Sequence, residues 1–272
     1  MKLQHVILNL FTLLAIAGSV LQSSPSEARE RLKISFEPEA ETIPANTLRM
    51  YFMFDRPARG LVHQSEVKLV GPCGSEIKNA FMDFGQELWS PDGKRLTVFF
   101  DPGKIKRDVE AEGDAASPLK EGKSYQIKLA DYAHSFQVSH PVREKLNPKI
   151  WKVIEPSSSS SQLEIKFDRV MDAALLLDQI EVVETKSGAR VSTTKKILTA
   201  GMGLIFRPRF KWRIGQYGVV ASSILEDVSG NRMGESLDHT LGENADEKFR
   251  EVQRFVIATG ITKKQFSNGL KK

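Results

Sequence analysis

The chain has 272 residues, and its 39 lysine and arginine residues against 34 aspartate and glutamate residues give a formal charge of +5 at pH 7. Because this excess is small and the two signs alternate along the chain, we exclude the concentrated basic face of a nucleic-acid-binding protein. Cys73 is the only cysteine, which excludes an intramolecular disulfide, so we expect stability to come from buried apolar surface.

The first 28 residues have the pattern of a secretion signal. Lys2 supplies a short positive region, residues 6–20 are mostly apolar, and Ser26-Glu-Ala28 fits the small-residue rule for signal peptidase. The apolar stretch is too short and too interrupted for a membrane-spanning helix, which needs roughly 20 apolar residues. We therefore predict cleavage before Arg29 and a mature protein without a membrane span, in the periplasm or outside the cell. An uncleaved amino-terminal anchor is the alternative.

Short runs of β-forming residues follow one another through most of the remaining chain. Residues 48–54, 96–100 and 125–129 are three such runs. The proline, glycine and aspartate residues between them, as in Ser90-Pro-Asp-Gly93, set the dihedral angles of turns. A charged insert of about twenty residues after Pro102 is expected to be a loop. Strands and turns at this short spacing predict an all-β sandwich or barrel rather than an α/β fold.

The second half of the chain repeats the order of these segments. Three pairs match: Phe54-Asp-Arg56 with Phe167-Asp-Arg169, residues 98–102 with 204–208, and residues 122–129 with 215–221. Three matches in the same order predict a duplication. We therefore predict one domain over residues 29–140 and another over residues 141–260, with a disordered basic tail at residues 261–272.

The second copy resembles a known family. Phe167-Asp-Arg-Val-Met-Asp172 ends a strand, a Leu-x-Phe-x-Pro strand and a Gly-x-Tyr segment follow, and Asp227-Val-Ser-Gly-Asn231 forms a turn. This order is similar to a bacterial Ig-like domain of the type named for S-layer proteins. The first copy matches more loosely, with Arg56-Pro-Ala-Arg59 where the second has its Met-Asp pair. The resemblance implies two consecutive Ig-like antiparallel β-sandwich domains, used as stalks, spacers or binding modules, and it implies no reaction.

Several shared positions have a structural interpretation. Large aromatic residues there predict two sandwich cores: Phe54, Phe100, Phe167, Phe206, Tyr125 and Tyr217. In the Asp-x-x-Gly-Asn turn, Asp227 is expected to accept hydrogen bonds from backbone amides, and Gly230 or Asn231 to take a positive φ. Calcium binding by Glu226, Asp227 and Asn231 is the alternative, but the ligands are too few. We predict no metal and no cofactor.

The sequence contains none of the catalytic motifs that have strong spacing rules. A Gly-x-Ser-x-Gly elbow, a phosphate-binding loop and a His-Glu-x-x-His helix are all missing from it. We therefore predict a protein that is not an enzyme, an exported structural or binding protein of the cell envelope. An enzyme with a non-standard site between the two domains is the remaining catalytic alternative.

One segment stands out as a candidate ligand-binding surface. Residues 207–213 interleave Phe210 and Trp212 with four cations, among them Arg209 and Arg213, which suits a sugar ring or an anionic partner. Trp89, beside a turn, is a second candidate. The alternative function that this segment suggests is an accessory component that binds an envelope protein or a polysaccharide. The competing interpretation is that Trp212 fills the core of its sandwich.

Overall fold

The computed structural model describes residues 32–105, 117–233 and 249–257. The predicted signal segment, most of the insert after Pro102 and the predicted basic tail lie outside these ranges. Within these ranges the first half has eight strands: β1 (Ile34–Glu37), β2 (Thr42–Pro44), β3 (Arg49–Phe54), β4 (Lys68–Val70), β5 (Leu88–Trp89), β6 (Arg95–Phe99), β7 (Ser124–Leu129) and β8 (Tyr132–Ser139). Gln64–Glu66 form a 3-10 helix, and Pro102–Ile105 form the short helix α1.

Among its described residues, the second half has seven strands: β9 (Lys152–Ile154), β10 (Leu163–Lys166), β11 (Ile180–Glu184), β12 (Thr193–Leu198), β13 (Gly203–Pro208), β14 (Gly215–Ser222) and β15 (Phe249–Ile257). Helix α2 (Ala173–Gln179) follows β10, and two 3-10 helices lie at Pro148–Ile150 and Thr199–Gly201. Within the described ranges, no helix is long and apolar enough to cross a bilayer.

The two halves have the same strand order. The first has sheets β1-β3-β6-β5 and β2-β8-β7-β4, and the second has β9-β10-β13-β12 and β11-β14-β15. The first half has one additional strand, β2, beside β8. When the other seven strands of each half are labelled A to G, strands A, B, E and D form one sheet and C, F and G the other, which is the order of constant-type immunoglobulin domains. The fold is therefore two consecutive Ig-like sandwiches. Pairing is antiparallel except between β2 and β8, which are parallel.

Each sandwich encloses its own cluster of buried apolar side chains. All six of the aromatic residues predicted for the cores are buried. Tyr125 and Tyr217 also form equivalent corners at the start of strand F: the amide of Lys120 donates to the Tyr125 hydroxyl at 2.9 Å, and the Tyr217 hydroxyl donates to the carbonyl of Arg213 at 2.9 Å. The match of residues 122–129 with 215–221 therefore identifies two equivalent tyrosines, although one residue fewer separates the glycine from the tyrosine in the second copy.

The match between strands β6 and β13 needs a correction. Met50 lies opposite Val98 in the first sandwich, and Leu163 lies opposite Phe206 in the second. With the Phe-Asp-Arg triplets aligned, Val98 is thus the equivalent of Phe206, whereas the sequence match assigned Phe100 to it. A shift of two residues keeps every side chain on the same face of a strand, so the apolar pattern did not reveal it.

Candidate functional site

Strand β3 is buried on both of its faces. Met50, Phe52 and Phe54 belong to the core of the first sandwich. Because successive side chains on a strand point to opposite faces, Arg49 and Tyr51 point away from that core. Tyr51 is nevertheless only 5% exposed. Arg95 of the first sandwich lies over its ring at 5.4 Å, and its hydroxyl reaches Asp172 of the second sandwich. This outer face of β3 is therefore the place where the two sandwiches meet.

Charged and polar side chains meet at this contact. Arg49 donates through Nε to Asp172 Oδ2, and through Nη2 to Glu226 Oε2 at 2.6 Å. The Tyr51 hydroxyl donates to the same Asp172 oxygen at 2.6 Å. Arg232 donates to the other oxygen of Glu226, also at 2.6 Å. Asp172 and Glu226 are both buried, so the contact consists of charges that are paired inside the protein.

Local structure holds Asp172 in place. It is the N-cap of helix α2, where its Oδ1 accepts the amide of Leu175 at 3.0 Å. An aspartate at this position satisfies an amide that the helix itself leaves without a partner. One carboxylate oxygen therefore serves the helix, and the other serves Arg49 and Tyr51.

A second group of hydrogen bonds joins the two sandwiches beside the charges. The side-chain amide of Asn46 donates to the carbonyl of Val142 at 2.7 Å, and its oxygen accepts from the Val142 amide and the Ser229 hydroxyl, both at 2.9 Å. The amide of Leu48 donates to the carbonyl of Val228 at 2.8 Å. Backbone groups of both sandwiches thus take part, which fixes the position of one relative to the other.

The Asp-x-x-Gly-Asn turn forms as predicted. Asp227 Oδ1 accepts the amides of Ser229 at 2.9 Å and Asn231 at 3.0 Å, and Gly230 has a φ of +81°. Asp227 Oδ2 accepts the Asn231 side chain at 2.9 Å and Arg169 Nη1 at 3.3 Å. Both carboxylate oxygens of Asp227, which a calcium ion would need as ligands, therefore already accept hydrogen bonds from the protein. In the described part of the chain, no three acidic, histidine or cysteine side chains are grouped to hold a metal.

Burial and charge shift the pKa values of these groups. Burial, reinforced by the negative charge of Asp172, raises the pKa of Tyr51 above its ordinary value. Burial acts to lower the pKa of Arg49, but Asp172, Tyr51 and Glu226 outweigh it and the pKa is raised. Burial also raises the pKa of Asp227, against the hydrogen bonds from Asn231. Arg49 is therefore charged and Tyr51 neutral throughout the physiological range.

The contact between the sandwiches is where an enzyme would have a site, and it does gather titratable groups. Asp172 is fully buried, however, and Arg49, Tyr51 and Leu175 already donate to its two oxygens. A substrate would have to displace one of these donors. The arrangement is suited to holding two sandwiches together, because its donors and acceptors satisfy one another.

The structure separates the members of the predicted ligand-binding set. Trp212 is in the core of the second sandwich: its indole nitrogen donates to the carbonyl of Ser161 at 2.8 Å, and its ring lies edge-on to Tyr217. Trp89 belongs to the first sandwich, where it is half-buried, packs beside Phe54 and donates to a Glu87 oxygen at 2.8 Å. Trp212 is therefore a core residue that is 4% exposed, and Trp89 is half-buried.

The other three members lie together on the surface of the second sandwich. Phe210 is 80% exposed, and Arg209 and Arg213 are exposed beside it. Phe210 and Arg213 border a groove of about 300 Å³ whose lining also includes Arg190 and Ser192, whereas Arg209 is not part of that lining. The ligand-binding role of this segment remains a prediction, with Phe210 rather than Trp212 as its accessible ring.

Sequence reasoning missed the role of Arg49, Tyr51 and Asp172. One signal was present: residues 48–54 are apolar or aromatic at both odd and even positions, apart from Arg49. A strand that is buried on both faces has this continuous pattern, whereas a strand with one wet face alternates. The pattern indicates that something covers β3, but not what covers it.

No family model matches the chain, and no curated protein matches it. Tandem Ig repeats of Dlar are 9% identical over 75% of this chain and 94% of that chain, with a TM-score of 0.25. Domains 5-6 of the S-layer protein SbsC are 10% identical over 76% of this chain and 93% of that chain, with a TM-score of 0.23. The pullulanase SAP of Group B Streptococcus is 9% identical over 72% of this chain and 22% of that chain, with a TM-score of 0.24. These scores are low, so the fold assignment rests on the strand order.

Proposed function

We propose that the chain is an exported, non-catalytic structural module in which two Ig-like sandwiches are joined as one stiff unit. The observation that carries this proposal is the buried contact of Arg49 and Tyr51 with Asp172. Domains in one chain usually move relative to each other unless their interface is extensive. Here a change in orientation would leave buried charges without partners, which costs several kcal/mol for each charge.

Apolar packing supports the same proposal. Val170 and Ala200, both from the second sandwich, pack against the core cluster of the first. The contact between the sandwiches therefore includes apolar packing and the hydrogen bonds of Asn46 in addition to the charged groups. A module of this kind suits a spacer or stalk that holds other parts of an envelope assembly at a fixed distance.

The cellular location and the domain family are also part of the proposal. The signal-like first 28 residues support a location in the periplasm or outside the cell. The shared strand order and the Asp227 turn support two divergent copies of the S-layer-type Ig-like domain, divided near residue 140. The partner would be an envelope protein or a polysaccharide. An enzyme is not favoured, because the titratable groups between the sandwiches satisfy one another.

A distance measurement tests the stiff coupling. Cys73 is exposed and is the only cysteine, so a spin label on it can be combined with a second label on a Ser187→Cys variant of the other sandwich. Pulsed electron paramagnetic resonance should give one narrow distance distribution. The control pairs Cys73 with Lys128→Cys in the same sandwich, which gives the width due to the labels alone. A distribution much broader than this control contradicts the proposal.

Export is tested separately. The full chain, expressed in a bacterial host, should be recovered outside the cytoplasm with a mass that corresponds to a first residue of Arg29. Replacing Ala28 with arginine should block cleavage while leaving the sandwiches folded. Recovery of the uncleaved chain in the soluble cytoplasm would contradict this part of the proposal, whatever the distance measurement shows.

A further inference from the structure

The geometry points to a binding site for an anionic polysaccharide on the second sandwich. The site consists of residues 209–214, here named the basic loop, and the groove beside it. It lies apart from the contact between the sandwiches and does not depend on their stiff coupling. The two proposals can therefore fail independently.

The basic loop is fastened to the sandwich at several points. The amide of Arg209 donates to the carbonyl of Ser192 at 3.0 Å, and the amide of Trp212 donates to the carbonyl of Ser159 at 2.7 Å. The Tyr217 hydroxyl holds the carbonyl of Arg213 at 2.9 Å. Trp212 thus acts as the anchor of the loop. A loop that is already ordered loses little conformational entropy when it binds a ligand.

The anchored loop exposes apolar and positively charged side chains to solvent. Phe210 is 80% exposed and Ile214 is 66% exposed. Arg209, Lys211 and Arg213 are also exposed, and none of the three side chains forms an ion pair within the part of the chain that the structure describes. Single exposed apolar side chains are common on protein surfaces, so the observation that points to a ligand is the clustering of Phe210 and Ile214 with three cations. Three cations without counter-charges indicate that the ligand is negative.

The groove gives this surface a defined shape. It has a volume of about 300 Å³, with Phe210 and Arg213 on one side and Arg190 and Ser192 on the other. The only carboxylate in its lining is that of Glu184, which accepts the Ser187 hydroxyl at 2.5 Å. Arg190 is already paired with Glu181 at 2.6 Å. The groove therefore offers an anion the guanidinium of Arg213, beside the ring of Phe210 and the hydroxyl of Ser192.

This combination favours a charged sugar chain over the other anionic surfaces of an envelope. An aromatic ring stacks on the apolar face of a sugar, while guanidinium groups bind carboxylate or phosphate through paired hydrogen bonds. A polymer can follow a groove that is open to solvent. A lipid bilayer cannot enter the groove, and its docking would depend only on Phe210, Ile214 and the three cations.

The test is a calorimetric titration, in which polygalacturonate is added to the mature chain and the heat of binding is measured. Neutral dextran serves as the uncharged polymer, and vesicles of phosphatidylglycerol and phosphatidylcholine serve as the anionic membrane. We expect binding to polygalacturonate, weaker binding as salt is raised, and no comparable binding to dextran. Stronger binding to the vesicles than to polygalacturonate would overturn the proposal in favour of a membrane-docking loop.

Variants locate the site. Phe210→Ala should weaken the affinity for polygalacturonate on the order of tenfold, as expected for a central aromatic contact. The triple variant Arg209→Gln, Lys211→Gln, Arg213→Gln should abolish most of the salt dependence. Phe84→Ala and Lys128→Gln make matched exposed changes on the first sandwich. Thermal unfolding confirms that each variant is folded.

The control variants decide the location. Unchanged affinity in Phe84→Ala and Lys128→Gln, with reduced affinity in the loop variants, supports the site. If the loop variants bind as tightly as the wild-type chain, or if dextran binds as tightly as polygalacturonate, the proposed site or its preference for negative charge is wrong. Neither result bears on the distance measurement between the two sandwiches.

Discussion

The side chains of Arg49 and Asp172 form an ion pair between the two sandwiches although 123 residues separate them in the chain. The pair depends on which copy comes first in the chain. When the two Phe-Asp-Arg triplets are aligned, Gln162 takes the position of Arg49, and Arg59 takes the position of Asp172. The same structural positions therefore carry different residues in each copy, and the contact can form only in one order.

A double-mutant cycle measures this pair. Arg49→Met and Asp172→Ala should each lower the free energy of unfolding by about 3 kcal/mol. Arg49→Met leaves the buried Asp172 without its cation, and Asp172→Ala removes the carboxylate that accepts from Arg49, Tyr51 and the first turn of α2. The double variant should lose clearly less than the sum, with a coupling of about 2 kcal/mol. Urea unfolding provides the values. Arg59→Ala, at the exposed equivalent position, should change stability by less than about 0.5 kcal/mol. Additive losses would contradict the pairing.

Alkaline pH should weaken the fold through Tyr51. Its pKa is raised in the folded state by burial and then by Asp172, so the folded chain keeps a proton that the unfolded chain releases above pH of about 10. The unfolded state then binds fewer protons, and the free energy of unfolding falls as pH rises through this range. In the Tyr51→Phe variant, the free energy of unfolding measured with urea should fall less steeply with pH between pH of about 9 and 11.

Tyr132 provides a second test of the same effect. Burial, with Glu39 and Glu37 nearby, raises its pKa to about 12. It adds its own loss of stability between its unfolded value and pH 12. In the combined Tyr51→Phe and Tyr132→Phe variant, the free energy of unfolding should therefore depend less on pH than in either single variant. A double variant that retains the wild-type slope would show that neither phenol is responsible.

The two tyrosine corners report on whether the sandwiches unfold together. Tyr125→Phe and Tyr217→Phe each keep the ring and remove one hydrogen bond to the backbone, a loss of about 1 kcal/mol. If the contact between the sandwiches couples them, wild-type unfolding is a single transition and either variant shifts all of it. Two transitions, each sensitive to only one of the variants, would indicate independent sandwiches.

The sequence predicts the sandwiches better than it predicts their contact. The tyrosines Tyr125 and Tyr217 and the two Phe-Asp-Arg triplets identify equivalent positions, because a tyrosine corner and a strand end need particular residues there. The match at Phe100 fails because a shift of two residues preserves the apolar face of a strand. The pairing of Arg49 with Asp172 could not be predicted, because a contact between residues so distant in the chain leaves no local periodicity.

The surface segment shows a similar limit. Composition alone placed Trp212 and Phe210 in one candidate site, since both aromatics alternate with cations. The structure distinguishes them because Trp212 finds a hydrogen-bond partner in the carbonyl of Ser161 and a place in the core, whereas Phe210 does neither. Such partners come from loops that are distant in sequence, so only the fold reveals which ring remains accessible.

Gly201 tests how tightly the turn before β13 is packed. It has a φ of +69°, and a Cβ atom there would lie 2.8 Å from the carbonyl oxygen of Met171. Gly188 has nearly the same φ, +70°, but nothing lies within 4 Å of its Cβ position. Gly188→Ala should therefore cost only the backbone strain, about 1 kcal/mol. Gly201→Ala adds a steric clash and should cost about 3 kcal/mol in urea unfolding.

The same comparison connects the turn to the contact between the sandwiches. Ala200, next to Gly201, packs against the core cluster of the first sandwich. A displaced turn should therefore also broaden the distance distribution between labels at Cys73 and Ser187→Cys. Gly188→Ala should leave that distribution narrow, because its loop has no such contact. Equal losses of stability in the two glycine variants would mean that the clash with Met171 is relieved at no cost, and that the turn does not position Ala200.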